Sequence, residues 1–257
     1  MTRGRERCSG AILLASVVIR AKNEARYIGE TLSALFEQVG VDSYEVVIVD
    51  SGSTDETLSI VRAYPLKLIE IPAASFTYGR ALNLGIREAS GDFVASLSAH
   101  STPVDEHWLA NLVEPFKNSR VAGVIGRQVP RANATPLELL NMRFISGLMS
   151  AKPELRDRNP MFSNANGAFR RVLWERLPFD ESVKGAEDIA WARSMQALGY
   201  LIAYEPSAAV YHSHGEPLLR HLRRIAHDAP TVLGNVLGLG SARDGERKPR
   251  PWVLPEK

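Results

Sequence analysis

Glu45-Val46-Val47-Ile48-Val49-Asp50 runs directly into Ser51-Gly52-Ser53-Thr54-Asp55-Glu56. Four consecutive branched apolar residues read as a strand buried on both faces, since a strand with one wet face would alternate. Ser53 and Glu56 form a capping-box pattern, which predicts a helix running to about residue 63. A buried strand, a tight turn and a helix make one unit of a parallel sheet covered by helices. Upstream, residues 16–20 form another short apolar strand. Ala25, Ile28, Leu32, Leu35 and Phe36 then recur at helical spacing and predict a helix over 23–37. Downstream come a strand at 66–71, a helix at 79–89 and a strand at 93–97.

Beyond these elements the pattern loosens. Asp105 is placed to cap a helix carrying Trp108, Leu109, Leu112, Val113 and Phe116. A strand is expected at 121–125. Residues 128–165 look irregular except for a helix at 136–148. Residues 167–169 lead into a helix at 171–177, followed by a helix at 186–198 and short strands at 201–204 and 208–211. No internal repeat is present. The expectation is an α/β domain with a Rossmann-like, mostly parallel sheet flanked by helices.

The 257 residues, 45% hydrophobic and 23% charged, suffice for one such domain. A net charge of +2 creates no global field, so no nucleic-acid partner is expected, although basic clusters occur at 3–7, 220–224 and 243–250. The single cysteine, Cys8, leaves no intrachain disulfide and fits a reducing compartment, so a cytoplasmic location is expected. The apolar run at 11–19 follows basic residues as in a signal peptide. It is too short to span a bilayer and continues into Arg20-Ala21-Lys22-Asn23-Glu24 without a cleavage site, so it reads as a first strand. The expected organisation is an N-terminal extension (1–14), one domain (15–240, halves 15–127 and 128–240) and a flexible tail (241–257).

In an open α/β sheet, ligands bind at the carboxyl ends of the strands. Polar residues collect at those ends here: 20–24, 50–55 and 98–102. An aspartate closing a strand can accept from a base or a ribose, and a Gly-Ser-Thr turn can approach a ligand through backbone N–H groups. One such acid is more often a helix cap. Three successive strands ending this way favour a nucleotide crevice.

Five ordered motifs make the pattern specific. Val17-Val18-Ile19-Arg20-Ala21-Lys22-Asn23-Glu24 resembles the opening strand and Asn-Glu turn of the family 2 glycosyltransferases. Val47-Ile48-Val49-Asp50-Ser51-Gly52-Ser53-Thr54-Asp55 is similar to their Asp-Asp-Gly-Ser-Thr-Asp signature. Tyr78 to Gly85, Ala89 to Phe93, and Gly185-Ala186-Glu187-Asp188 resemble later elements in the same order, so the resemblance covers about residues 15–215. It implies a GT-A fold and transfer of a sugar from a nucleoside-diphosphate donor (UDP-, dTDP- or GDP-linked) to a hydroxyl of a carbohydrate or lipid-linked acceptor. Inversion is expected. A retaining transferase and an inactive nucleotide-sugar-binding module stand as alternatives. The segment Phe76-Thr77-Tyr78-Gly79-Arg80 looks closest to bacterial rhamnosyltransferase-like members, and a lipid-linked acceptor would bring peripheral contact with the inner membrane face.

The resemblance also implies roles. Asp50 would contact the base, with Ala21, Glu24 and Ser98 around the donor, while Arg80 and Asn83 would face the diphosphate. A guanidinium grips phosphate oxygens well. Asp188 would be the general base, with Glu187 the next choice. Asn164, Asn166 and Trp191 would meet the acceptor. The sequence departs from the family at its Asp-x-Asp, which here reads Ser98-Ala99-His100. A neutral imidazole suits Mn2+ better than Mg2+. His100, with His212 and alternatively His214, is the expected ligand set for a divalent metal, a hydrogen bond to phosphate or simple packing being the alternative for His100.

Overall fold

The unbroken apolar runs become the middle of one sheet. A computed structural model describes residues 14–213 except 133, 137–138, 141–150, 159 and 184. Strands β1 (Leu14–Ala21), β2 (Ser43–Asp50), β3 (Lys67–Glu70) and β4 (Phe93–Ser98) lie parallel in the order β3-β2-β1-β4. Helices α1 (Ile28–Phe36), α2 (Thr57–Val61) and α3 (Tyr78–Glu88) connect them. The chain then adds β5 (Ser101–Pro103), α4 (Trp108–Val113), β6 (Val121–Val129), β7 (Glu154–Arg156), β8 (Asn166–Arg170), α5 (Arg171–Arg176), α6 (Glu187–Ala197) and β9 (Leu201–His212). Beyond β4 the sheet continues as β8-β6-β9-β5, with β7 on β9. Strand β8 runs antiparallel to both β4 and β6.

Two cores result, one on each face, because successive strand residues point to opposite sides. Val17 and Ile19 of β1 and Ile48 of β2 join Ile28, Leu32 and Leu35 of α1 and Trp108, Leu109 and Leu112 of α4. Val18 and Val47 join Leu82 and Ile86 of α3, Leu173 and Trp174 of α5, and Trp191 and Met195 of α6. Among the described residues no helix is long and apolar enough to cross a membrane.

Several expectations change. The Ser53/Glu56 capping box does not form: the Ser53 hydroxyl donates to Asp50 and accepts from the Asn23 N–H, and α2 begins only at Thr57. The first helix starts at Ile28 rather than near 23, because Asn23 is left-handed (φ 54°) and residues 25–27 make a separate turn. Residues 166–170 are a strand rather than an approach to a helix. The two short strands after residue 200 are one, β9, whose pairing with β6 shifts register between Gly126 and Arg127 and thereby absorbs residues 206–208. The helix expected over 136–148 lies largely outside the described residues, as do His214, the extension up to residue 13 and the tail.

Helix α3 sits close on the parallel strands. A Cβ added at Gly85 would lie 2.5 Å from Val18 Cγ1 and 3.1 Å from Val49 Cγ2. Both valines are fully buried and branched, so neither can swing away. Gly85→Ala regains about 1 kcal/mol of helix propensity but overpacks the interface by about 1–3 kcal/mol. A lower denaturation midpoint at unchanged m-value is expected. An unchanged midpoint would mean that α3 slides freely on the sheet.

Candidate active site

The strand ends meet in register: Ala21 pairs with Asp50, and Arg20 with Ser98. The switch in strand order falls here, where β1 has β2 on one side and β4 on the other. The loops after β1 and β2 are laced together. The Asn23 N–H donates to Ser53 Oγ (2.8 Å), the Thr54 N–H to Asn23 Oδ1 (2.8 Å), and the Glu24 N–H to Thr57 Oγ1 (2.7 Å). Asp50 is buried. Its carboxylate accepts from the N–H groups of Gly52 (2.9 Å) and Ser53 (2.8 Å) and from the Ser53 hydroxyl. Three of its four lone-pair sites are thus used by its own turn, so Asp50 shapes the crevice more than it offers a free acceptor. Ala21 is buried beside it, and its carbonyl accepts from the Ser51 N–H (3.0 Å).

Two residues expected to bind the donor are engaged with the 179–181 loop. Asn83 is buried. Its amide donates to the Phe179 carbonyl (2.9 Å) and Glu181 Oε1 (3.0 Å), and its oxygen accepts from Trp174 Nε1 (2.9 Å) and the Phe179 N–H (3.2 Å). It pins α3 to the 179–181 loop and has nothing left for a phosphate. Arg80 is exposed and lies 3.5 Å from Glu181 on that same side.

Two acceptor-binding expectations fail as well. Asn166 is fully buried, accepting from Trp108 Nε1 (2.9 Å) and donating to the carbonyls of Arg127 (2.8 Å) and Ala208 (2.9 Å). Trp191 is buried among Phe162, Phe169 and Phe179, with its Nε1 on the Leu177 carbonyl (3.0 Å). Both hold the core together.

Asn164 does reach the site, beneath two acids. Its side-chain oxygen accepts from Ser96 (3.0 Å), its amide donates to Glu187 Oε1 (3.2 Å), and its backbone N–H donates to Asp188 Oδ2 (3.0 Å). Ala186 precedes them in left-handed backbone (φ 58°), a conformation that costs a non-glycine residue about 1–2 kcal/mol. It turns the chain so that α6 opens with both carboxyls on Asn164. Glu187 is buried and Asp188 half-buried. Burial and the adjacent Glu187 carboxylate push the Asp188 carboxyl up to about 7, against its backbone donors and Arg20.

Arg20, which the motif reading passed over, stands opposite. Its Nη1 is 3.7 Å from Glu187 Oε1, and its guanidinium lies 4.8 Å from the centre of the Tyr78 ring. An arginine closing a buried strand was the signal available in the sequence.

A second cluster lies at the end of β4. His100 Nδ1 is 2.9 Å from Glu24 Oε1, and His212 Nδ1 is 2.6 Å from Gln128 Oε1. The two Nε2 atoms are 3.0 Å apart, with the rings stacked at 4.9 Å. Strand pairing carries this contact, since β5 lies on β9 with Ser101 opposite His212. Arg131, also unforeseen, grips the loop from outside through Glu30, Thr102 and the His100 carbonyl. Among the described residues no three His, Cys, Asp or Glu side chains are grouped to hold a metal ion by themselves.

Comparison with known proteins adds the following. The family model "Glycosyl transferase family 2" matches residues 16–177. An O-antigen chain rhamnosyltransferase of Salmonella anatum is 33% identical over 178 residues, covering 66% of this chain and 56% of that protein. Another O-antigen chain rhamnosyltransferase, of Salmonella typhimurium, is 28% identical over 208 residues, covering 77% and 66%. The structure of a mannosyltransferase from Pyrobaculum calidifontis, in complex with GDP-Man and Mn2+, superposes with a TM-score of 0.70 at 30% identity, covering 92% of this chain and 66% of that one. The chain therefore spans between 56% and 66% of the length of these relatives. The fold is GT-A, with a mostly parallel sheet flanked by helices.

Proposed function

Because the chain belongs to glycosyl transferase family 2, we propose that it moves a sugar from a nucleoside-diphosphate donor to a hydroxyl of a carbohydrate or lipid-linked acceptor, with inversion. The carboxyl pair opening α6 carries this reading. An inverting transfer needs a carboxylate to take the acceptor proton as that oxygen attacks the anomeric carbon. Asp188 is the half-buried member, with a proton affinity raised to about 7, near an operating pH. Glu187 is enclosed between Asn164 and Arg20 and supports it.

Donor binding is assigned to the crevice over Ala21, Glu24, Asp50 and Ser98, whose walls are the laced loops after β1 and β2. The rhamnosyl- and mannosyltransferase relatives favour a hexose or deoxyhexose as the transferred sugar.

The histidine pair fits a divalent cation. With Glu24 accepting from His100 Nδ1 and Gln128 Oε1 accepting from His212 Nδ1, each neutral ring carries its lone pair on Nε2, and those atoms converge. His100 and His212 would hold such an ion through their Nε2 atoms, which stand 3.0 Å apart. Two protein ligands leave the other positions to diphosphate oxygens, consistent with a site completed by substrate. Mn2+ suits imidazole better than Mg2+ does. Such an ion would offset charge on the leaving diphosphate.

The test is a thermal-shift screen of UDP-, dTDP- and GDP-linked sugars with Mn2+, followed by NMR of the product anomer. A ligand selective for the native state stabilises it by mass action, by about 2.7 kcal/mol at a hundredfold its Kd. One nucleotide class should raise Tm clearly and yield an inverted product. Absence of any shift at millimolar nucleotide would remove the donor assignment.

A further inference from the structure

We infer that Arg20 is the positioning residue of the carboxyl pair: its buried guanidinium keeps Glu187 ionised and leaves Asp188 as the member that takes up and releases the proton. The inference rests on the proposed transfer and names what sets the order of protonation within that site.

Four observations carry it. Arg20 and Glu187 side chains are 15% and 5% exposed, so their 3.7 Å separation lies in a medium that screens charge poorly. The guanidinium is held in place by the Tyr78 ring on one face, and its Nη1 has no hydrogen-bond partner, so its charge acts on Glu187 through space. Asn164 brackets both acids, donating its side-chain amide to Glu187 and its backbone N–H to Asp188. The charges acting on Asp188 come from Glu187 on α6 and Arg20 on β1.

Two adjacent buried carboxyls do not both ionise readily without a cation. The one nearer the cation ionises first, and by geometry that is Glu187. Its fixed negative charge then holds the proton of Asp188 to higher pH. Removing Arg20 should make both acids keep their protons longer and compete for the same one.

The test is a carbon-13 NMR titration of the side-chain carboxyls in the unliganded protein, with signals assigned by Asp188→Asn and Glu187→Gln. In the native protein one carboxyl should titrate near 7 and vanish in Asp188→Asn. Arg20→Met should move the Asp188 midpoint upward, since the guanidinium is the positive charge that lowers it. Arg20→Lys should return the native order, and Arg20→Gln repeats the loss of charge should the methionine variant not fold. An unchanged titration of both acids in Arg20→Met or Arg20→Gln overturns the inference. Failure of the transfer reading looks different: the NMR order holds while Asp188→Asn transfers sugar at the native rate.

Discussion

Asp188→Asn is expected to lower kcat by about 10²–10⁴-fold, the usual contribution of a positioned base, while donor affinity changes little. Asn preserves size and can still accept from one of the two backbone N–H groups, of Asn164 and Ile189, that now hold the carboxylate. In the native enzyme the base must be ionised, so kcat should fall roughly tenfold per pH unit below an acid limb near 7. That limb should be absent from the variant.

The same group gives a stability signature. Its folded proton affinity is raised to about 7, above the ordinary aspartate value, so the folded state binds the proton more tightly than the unfolded chain does. Native stability from this group is therefore full below pH 4 and is lost as pH rises towards 7. The variant has no such loss and should melt no lower than the native protein at pH 8. A dead but stable Asp188→Asn would thus speak for chemistry rather than folding. Rates within a fewfold of native would refute the assignment. A loss confined to Glu187→Gln would transfer the role to that residue.

The parallel half of the sheet was legible because β1, β2 and β4 are apolar runs whose partners follow within a few dozen residues. The strands that escaped the reading owe their existence to distant partners. Ser101–Pro103 is polar and three residues long, and becomes a strand only where β9 supplies the other ladder. Asn166–Arg170 contains Gly167, where an added Cβ would lie 2.6 Å from the Ser163 carbonyl oxygen, and it becomes a strand only because β4 and β6 pair with its two edges.

The site was legible by type and less so by use. Motif order pointed to the acid pair and the two histidines, and the left-handed turn at Ala186 and the β5–β9 pairing set each pair in place. What spacing cannot tell is whether an amide's partners are supplied by the protein itself. Asn83 and Asn166 sit in the right motifs, yet residues far along the chain, Trp174 and Trp108 among them, occupy their hydrogen-bonding groups. Trp191 went the same way, because a tryptophan one turn after the acids faces the aromatic cluster under α6 rather than the cleft. Arg20 was overlooked for the opposite reason: its partner Glu187 lies in another element, and only the tertiary fold sets them face to face.

On the proposed metal site, EDTA should reduce transfer to background, and the residues that respond should form a graded series. His100→Ala or His212→Ala deletes one of two converging Nε2 donors and is expected to weaken Mn2+ binding by at least 10–100-fold. Glu24→Gln leaves both rings but replaces the carboxylate on His100 Nδ1 with an amide, so it should weaken binding less, within roughly that 10–100-fold range. Nucleoside affinity measured without metal should change little in the two histidine variants, since the role proposed for those rings is exercised only with the ion bound. Binding is best read by calorimetry with Mn2+ and nucleoside diphosphate together, because two protein ligands need phosphate oxygens to complete the shell. His100→Asp is the informative reversal. It restores one of the family's acidic positions, and it should shift preference from Mn2+ towards Mg2+, since carboxylate oxygen suits the harder ion. Undiminished transfer in EDTA, with His100→Ala unimpaired, would mean that the two rings share a proton instead of a cation, with His212 and His100 serving only to tie β9 to the end of β4.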